Sequence, residues 1–273
     1  MTTTSYRAVY RTTPETLSDD TIQTYRRQGF VHIPGVISPD EVAAFRAAAL
    51  DAAQRLKDKS NTAGSKAERV FLQLVNVWRE DETMKRLTLH PNVGAIAERL
   101  AGVSLRLWHD QILIKQPHNN APTEFHQDQP LWPHAHATHP LSAWIALVDV
   151  PVERGCMTFI PGSHTRADLA AQDLTDAHDL FRKSPDLVWE PRVTIPLRAG
   201  DCTFHHALCA HMATPNLTDE PRVAHVVIYT DAGTTYHKIS HPVTDPLGLE
   251  DGQPLAGDLF PAVDDFGGSA TMA

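Results

Sequence analysis

Cysteine is scarce in this chain: Cys156, Cys202 and Cys209 are the only three in 273 residues, and no CxxC pair occurs. An odd count without paired spacing excludes a disulfide-stapled scaffold and a zinc ribbon, and it suits a reducing compartment. Long apolar runs are missing too, so no membrane-spanning helix is expected. The opening stretch, MTTTSYRAVYRTTPETLSDD, has no apolar core of the secretory type, and the expected location is cytoplasmic. Positive charge is in deficit: 24 Lys and Arg stand against 33 Asp and Glu, a net charge of −9. That balance argues against nucleic acid or an anionic membrane as partner and leaves a small-molecule substrate. There is no glycine-rich phosphate loop, no P-loop lysine signature and no GxSxG elbow, which removes nucleotide-binding and serine-hydrolase readings.

What the chain does have is apolar content and histidine. A hydrophobic fraction of 42% is enough for one sizeable core without staples. Histidine numbers 16, several of them between His109 and His139.

Residues 1–19 read as a polar arm and 20–29 as a short helix ending at Gly29, followed by a small strand, Phe30 to Ile33. A second helix has a complete start signal: Ser38 as cap, Pro39 at the first helical position and Glu41 three residues after the cap. Val42, Phe45, Ala49, Ala53 and Leu56 then recur at helical spacing. LVNVW is a candidate strand, while DETMKRLTLH and PNVGAIAERL read as helices that stop at Gly102. From Ser104 the period shortens. LRLWHDQILIKQP, WIALVDV, MTFIPGS, PRVTIPLRAG, CTFHH and AHVVIYT read as strands separated by turns. The tail from Asp245, rich in Pro, Gly and Asp, reads as irregular or as a loosely docked lid. The expected organisation is a single domain over 1–273: a mainly helical part to 103, a β core over 104–232 and a C-terminal extension over 233–273. Many short strands suggest a sandwich, barrel or jelly roll.

The informative segment is TEFHQDQPLW, residues 123–132. In a strand, residues two apart share a face, so His126 and Asp128 can present an imidazole and a carboxylate to one ion while Gln127 points elsewhere. A distant histidine must complete the set. His211, in GDCTFHHALCAH, is the natural choice, with His205 and His206 as competitors. Two histidines and one carboxylate on one face of an octahedral ion leave three positions open, which suits Fe(II) chemistry with O2 and a chelating co-substrate. Arg222, eleven residues after His211, can hold a carboxylate through two parallel hydrogen bonds, as a 2-oxoglutarate-dependent oxygenase requires. A bare HxD is weak evidence among so many histidines. Its context makes it informative.

That context resembles the phytanoyl-CoA dioxygenase family of iron/2-oxoglutarate oxygenases. QGFVHIPGVISPDEV, WHDQILIKQP, TEFHQDQPLW, SAWIALVDVPVERGCMTFIPGSH and AGDCTFHHALCAHMATPNLTDEPRVAHVVIY carry the resemblance in order along most of the chain. It implies an all-β core with a helical buttress, a double-stranded β-helix (jelly roll, cupin-like). It also implies His126, Asp128 and His211 as Fe(II) ligands and Arg222 as the anchor of 2-oxoglutarate. His211 is preferred over its competitors because it has the family's spacing to Arg222. Trp144 matches a family tryptophan near the co-substrate, with core packing as the alternative. Gln111 and Lys115 share a strand face and are candidates to reach the co-substrate, although an exposed edge lysine is the plainer reading of Lys115. Trp132 is a candidate substrate contact or lid-packing residue. Gly155 and the IPGSH turn read as fold-maintaining, and His109, His134, His136 and His139 as structural or supporting groups.

Some family members carry serine or threonine two residues after the distal histidine; here that position is Ala213. Asp128 is retained, whereas halogenases of similar chemistry replace the carboxylate to make room for halide, so oxygen transfer is favoured. The implied activity is oxidation of a small organic molecule, in natural-product metabolism, with release of succinate and CO2. An acyl-CoA ester or an amino-acid-like metabolite is the alternative substrate, and a non-catalytic jelly-roll binding protein the alternative function.

Overall fold

The structure is a computed structural model that describes residues 12–166 and 170–266. The first eleven residues of the expected polar arm and the last seven of the tail lie outside the described residues. From Thr12 onward the arm is ordered: a 3-10 turn spans Pro14–Thr16, and Leu17 is buried in the main core.

The N-terminal elements form where capping chemistry and apolar spacing coincide. Helix α1 (Asp19–Gln28) is capped by Ser18, carries Asp19 and Asp20 in its first turn and Arg26 and Arg27 in its last, and ends on Gly29 at φ 82°. Strand β1 (Phe30–Ile33) follows. Helix α2 (Pro39–Leu56) has a reciprocal capping box between Ser38 and Glu41, a device contributing about 1 kcal/mol. Its buried face is Val42, Phe45, Ala49 and Ala52; Ala53 and Leu56 are half-buried at its margin. The expected LVNVW strand is displaced: β2 (Leu72–Val75) begins two residues earlier and stops where Asn76 turns into the left-handed region at φ 59°. Helices α3 (Glu82–Thr88) and α4 (Pro91–Ala101) complete the helical part, α4 ending on Gly102.

The remaining strands are β3 (Leu105–Lys115), β4 (Thr123–His126), β5 (His134–Ala135), β6 (Leu141–Ala146), β7 (Met157–Phe159), β8 (Val193–Ile195), β9 (Cys202–His206), β10 (His211–Ala213), β11 (Arg222–Asp231) and β12 (Thr235–Tyr236). A short helix, α5 (Asp179–Lys183), lies between β7 and β8. A six-stranded sheet runs β1-β9-β6-β11-β3-β2, and a four-stranded one runs β4-β10-β7-β8, with antiparallel neighbours throughout. Side chains from both sheets join in one apolar core; Phe30 of β1 stacks on Phe159 of β7 at 4.5 Å between ring centroids. The fold is therefore mixed α/β, and no closed barrel forms among the described residues. No described helix is long and apolar enough to cross a membrane.

Two expectations are corrected. The C-terminal extension is irregular but firmly docked. Leu255, Phe260, Val263 and Phe266 are buried in the main core, Phe260 stacks on Trp108, and β12 pairs with β5 just beyond the HxD segment. Lys115 is not an exposed edge residue. Its strand has neighbours on both sides, and its side chain is fully buried.

Candidate functional site

His126 ends β4 and His211 begins β10, and the two are direct partners across the ladder, which brings their rings to 4.3 Å between centroids. Asp128 is not on the strand. The chain leaves β4 after His126 and turns, so Asp128 sits at φ −75°, ψ −50° and leads into a 3-10 turn, Gln129–Leu131. That turn is tied down by the Asp128 and Gln129 amides, which both donate to the Ala207 carbonyl. Strand alternation therefore does not bring imidazole and carboxylate together; a helical turn at the strand's end does. Gln127 does point elsewhere, donating to the carbonyls of Arg166 and Leu208.

His126 Nε2 lies 3.4 Å and His211 Nε2 3.7 Å from Asp128 Oδ1. Among the described residues these three form the one group of His, Cys, Asp or Glu whose donor atoms all fall within 4.8 Å of one another. Donors about 2.1 Å from an octahedral ion sit about 3 Å apart at right angles, so the set is close to metal-binding dimensions. Each imidazole is oriented from behind. Nδ1–H of His126 donates to the Glu124 carbonyl at 2.7 Å, and that of His211 to the Cys209 carbonyl at 2.9 Å. Because a carbonyl can only accept, both Nε2 atoms are left with lone pairs facing the site. Burial pushes His211 down to about 3, keeping it neutral. Burial alone would raise the Asp128 carboxyl; the imidazoles of His211, His126 and His205 outweigh it and hold the group well below the usual carboxylate range.

His205 and His206 part company. His205 on β9 faces the site, its Nε2 3.6 Å from Asp128 Oδ2, while His206 turns towards His139 and His164. Ser142 is the cross-strand partner of His205 and donates to the same Oδ2 at 3.3 Å. One carboxylate oxygen is thus held by β6 and β9, and the other faces the two imidazoles. Neither role was visible in sequence, because the β6–β9 register that creates them is a tertiary feature.

These groups open on a cavity of about 290 Å³ whose wall also includes Arg222, Trp144, Trp132, Gln111 and Thr123. Arg222 opens β11 and is 2% exposed. Its Nη1 donates to the Leu113 carbonyl, its guanidinium lies 5.2 Å from the Trp144 ring centroid, and its Nε has no partner. No carboxylate among the described residues pairs with it. Burial pushes this guanidinium down to about 9. A buried, unpaired guanidinium is costly unless an anion arrives from outside.

Lys115 is the register partner of Arg222 but does not line the cavity. Its Nζ lies 3.0–3.3 Å from the carbonyls of Ala121, Ala213 and Thr214, and burial together with the Arg222 charge pushes the group down to about 6. It ties β3 to β10 and is not directed at a ligand. Gln111 lines the cavity and donates to His109 Nε2 at 3.0 Å; Trp132 lines it and packs edge-on against His109. Thr123, directly across from Ala213, brings a hydroxyl-bearing residue to the wall where Ala213 has none.

The profile of the phytanoyl-CoA dioxygenase family matches residues 25–224. Phytanoyl-CoA dioxygenase domain-containing protein 1 of Mus musculus is 28% identical over 160 residues, 57% of this chain and 55% of that protein. The chain thus spans about half the length of that curated relative. The peroxisomal phytanoyl-CoA dioxygenase of Rattus norvegicus is 23% identical over 248 residues, covering 83% of this chain and 72% of its own. Among solved structures, the non-haem α-ketoglutarate-dependent carbocyclase SnoK of nogalamycin biosynthesis is similar at a TM-score of 0.84 and 42% identity, covering 92% of this chain and 98% of its own. The epimerase SnoN of the same biosynthesis is similar at 0.78 and 42%, covering 90% and 95%.

Proposed function

This chain belongs to the phytanoyl-CoA dioxygenase family, and from that membership we propose that it is an Fe(II)- and 2-oxoglutarate-dependent oxygenase that oxidises a small organic molecule in natural-product metabolism. One observation carries the reading. His126 Nε2, Asp128 Oδ1 and His211 Nε2 converge in the same cavity as the unpaired Arg222 guanidinium. The donor set suits a ferrous ion, and the orphaned arginine suits the distal carboxylate of 2-oxoglutarate. When bound, iron and 2-oxoglutarate supply O2-dependent oxidation of a C–H bond, with succinate and CO2 as co-products. The two sheets are read as the halves of an open double-stranded β-helix.

The chain's own residues have separable tasks. His126, Asp128 and His211 would hold the metal, with Glu124 and Cys209 carbonyls fixing the imidazoles. Ser142 and His205 restrain Asp128 Oδ2, so the carboxylate would coordinate through Oδ1. Arg222, its guanidinium over the Trp144 ring, would orient 2-oxoglutarate, and Thr123 on the same cavity wall would supply a hydroxyl where Ala213 has none. Gln111 and Trp132 line the same cavity and would be available to contact substrate. SnoK and SnoN, described as a carbocyclase and an epimerase, favour a reaction outcome that extends past simple hydroxylation to ring closure or inversion. The three cysteines are free and buried, which suits the proposed cytoplasmic location.

The test is an anaerobic titration of metal-free protein with Fe(II) and then 2-oxoglutarate. A visible charge-transfer band that needs both components is expected, and Asp128→Ala is expected to lose the band together with succinate release. Full succinate release by Asp128→Ala would sink the assignment.

A further inference from the structure

The cavity changes character from floor to rim. His126, His205, His211, Ser142, Trp144 and Arg222 form a buried floor. Asn61 and Pro242 are exposed, and Gln73, Gln111, Leu174 and His241 are half-buried. Among the described wall residues only Asp128 and Arg222 are acidic or basic side chains other than histidine, and both sit where metal and co-substrate are assigned. What is left for a substrate is amide, imidazole, aromatic and aliphatic surface.

Two of these polar groups have defined hydrogen-bonding sense. His241 Nδ1 accepts from the Val243 amide at 3.2 Å, which places the ring hydrogen on Nε2 and makes that atom a donor. Burial pushes His241 down to about 4, so the ring is neutral near pH 7. Gln111 uses its Nε2 on His109, leaving its Oε1 as an acceptor. The rim therefore presents at least one neutral donor and one neutral acceptor beside Phe71 and Trp132.

His241 and Pro242 also lie beyond residue 224, where the family match ends. They are held in place all the same. The His241 ring packs on Trp108 and His109, and the preceding β12 pairs with β5. A segment outside the family-matched region thus completes the wall of the shared cavity.

We infer that the part of the substrate inside this cavity is uncharged and oxygen-bearing, recognised by a neutral rim of Asn61, Gln73, Gln111 and His241, with the His241–Pro242 segment as this chain's specificity element. The inference rests on the oxygenase reading and narrows it. A carboxylate or ammonium carried past this rim into the buried part of the cavity would be desolvated, with no counter-charge beyond the groups assigned to metal and co-substrate. Free amino acids are correspondingly poor fits, whereas a hydroxylated or ketonic carbon skeleton satisfies both donor and acceptor.

The test uses the full chain loaded anaerobically with Fe(II) and 2-oxoglutarate, with the visible band as reporter. Three neutral probes, a hydroxynaphthamide, a flavanone and a steroid ketone, are each titrated beside their carboxylate and ammonium twins and one aromatic acyl-CoA. At least one neutral probe is expected to perturb the band with a Kd below about 1 mM and at least about tenfold tighter than its charged twins. His241→Leu should weaken that probe by about three- to tenfold, the loss of one hydrogen bond, without altering the band itself, and His241→Gln should restore it. Gln73→Lys, independent of the His241 segment, should shift preference towards the carboxylate twin. Charged twins binding as tightly as neutral ones, no neutral probe binding, or unchanged binding in both His241→Leu and Gln73→Lys would overturn the inference. Loss of the band in the wild-type chain would instead overturn the oxygenase reading, and this inference with it.

Discussion

The strands β3 and β11 run side by side for ten residue pairs, and their two faces put buried polar groups to opposite uses. On the helix-packed face, the Asp110 carboxylate accepts from the Thr88 hydroxyl at 3.1 Å and the Trp78 amide at 3.2 Å, while Thr88 lies 3.0 Å from His225 Nε2. On the cavity face, Gln111 and Arg222 look into open space, and Arg222 has no counter-ion among the described residues. Arg222 is about as buried as Asp110 and His225; the supply of partners is what differs. A polar group whose partners come from its own fold is serving stability, and one whose partner must come from outside marks a binding surface. Titration follows the same division. Burial raises Asp110 to about 7 and lowers His225 to about 3, so between those two values both members of this pair are neutral.

The largest effect expected from this contrast is at Arg222. Arg222→Met removes a buried cation that the protein does not neutralise, so thermal stability should hold or rise. The apparent affinity for 2-oxoglutarate should fall by about 100- to 1000-fold, the cost of losing one side of a buried charge pair. Arg222→Lys keeps the charge but not the fork, and should recover only part of that loss. Differential scanning fluorimetry and the 2-oxoglutarate dependence of succinate release measure the two quantities. A large drop in Tm with unchanged 2-oxoglutarate dependence would reverse the assignment of the faces.

Asp110→Asn is the counterpart on the other face and should leave turnover within about twofold, since nothing there reaches the cavity. Its signature is in stability against pH. The folded-state pKa of Asp110, about 7, stands above its unfolded value of 3.8, so the folded chain holds this proton more tightly. The stability this confers is complete below about pH 4, is lost as pH rises through 7, and cannot be lost by an asparagine. The Tm of Asp110→Asn relative to wild type should therefore climb by several degrees between pH 5 and about pH 8. A flat difference across that range would show that Asp110 is ionised throughout.

This contrast also explains what could be read from the residues alone. β3, β9 and β11 were legible because their apolar runs are long or bounded by clear turns, and α1 and α2 because caps and apolar spacing agreed. His126, Asp128, His211 and Arg222 stood out by order and spacing along the chain. The geometry behind them did not: Asp128 meets His126 through a helical turn, which Pro130, two residues on, could have signalled. Ser142 and Thr123 were missed, and His205 was seen only as a competing ligand, because strand register alone places them. Lys115 was misread because sharing a face with Gln111 does not tell whether a lysine finds solvent, a ligand or three carbonyls. His109 and Asp110 are adjacent on β3, and strand alternation sends them to opposite faces; only the partners supplied by α3 decide the role of Asp110.

The smallest and sharpest effect concerns a glycine behind the cavity face. Gly155 has φ +75°, and a Cβ there would lie 3.1 Å from Arg222 Nε and 3.4 Å from Lys115 Cδ. Gly162 has nearly the same backbone, φ +77°, but a Cβ would meet nothing within 4 Å. Alanine at either position incurs the left-handed backbone penalty of about 1–2 kcal/mol, so both variants should lose similar stability. Only Gly155→Ala presses on the guanidinium, by a few tenths of an ångström, and only it should raise the KM for 2-oxoglutarate, by about two- to fivefold with kcat nearly kept. Because the backbone strain is matched, the difference between the two variants isolates the position of Arg222. Equal KM values would mean that the guanidinium has room to yield, and that its placement does not depend on the packing behind it.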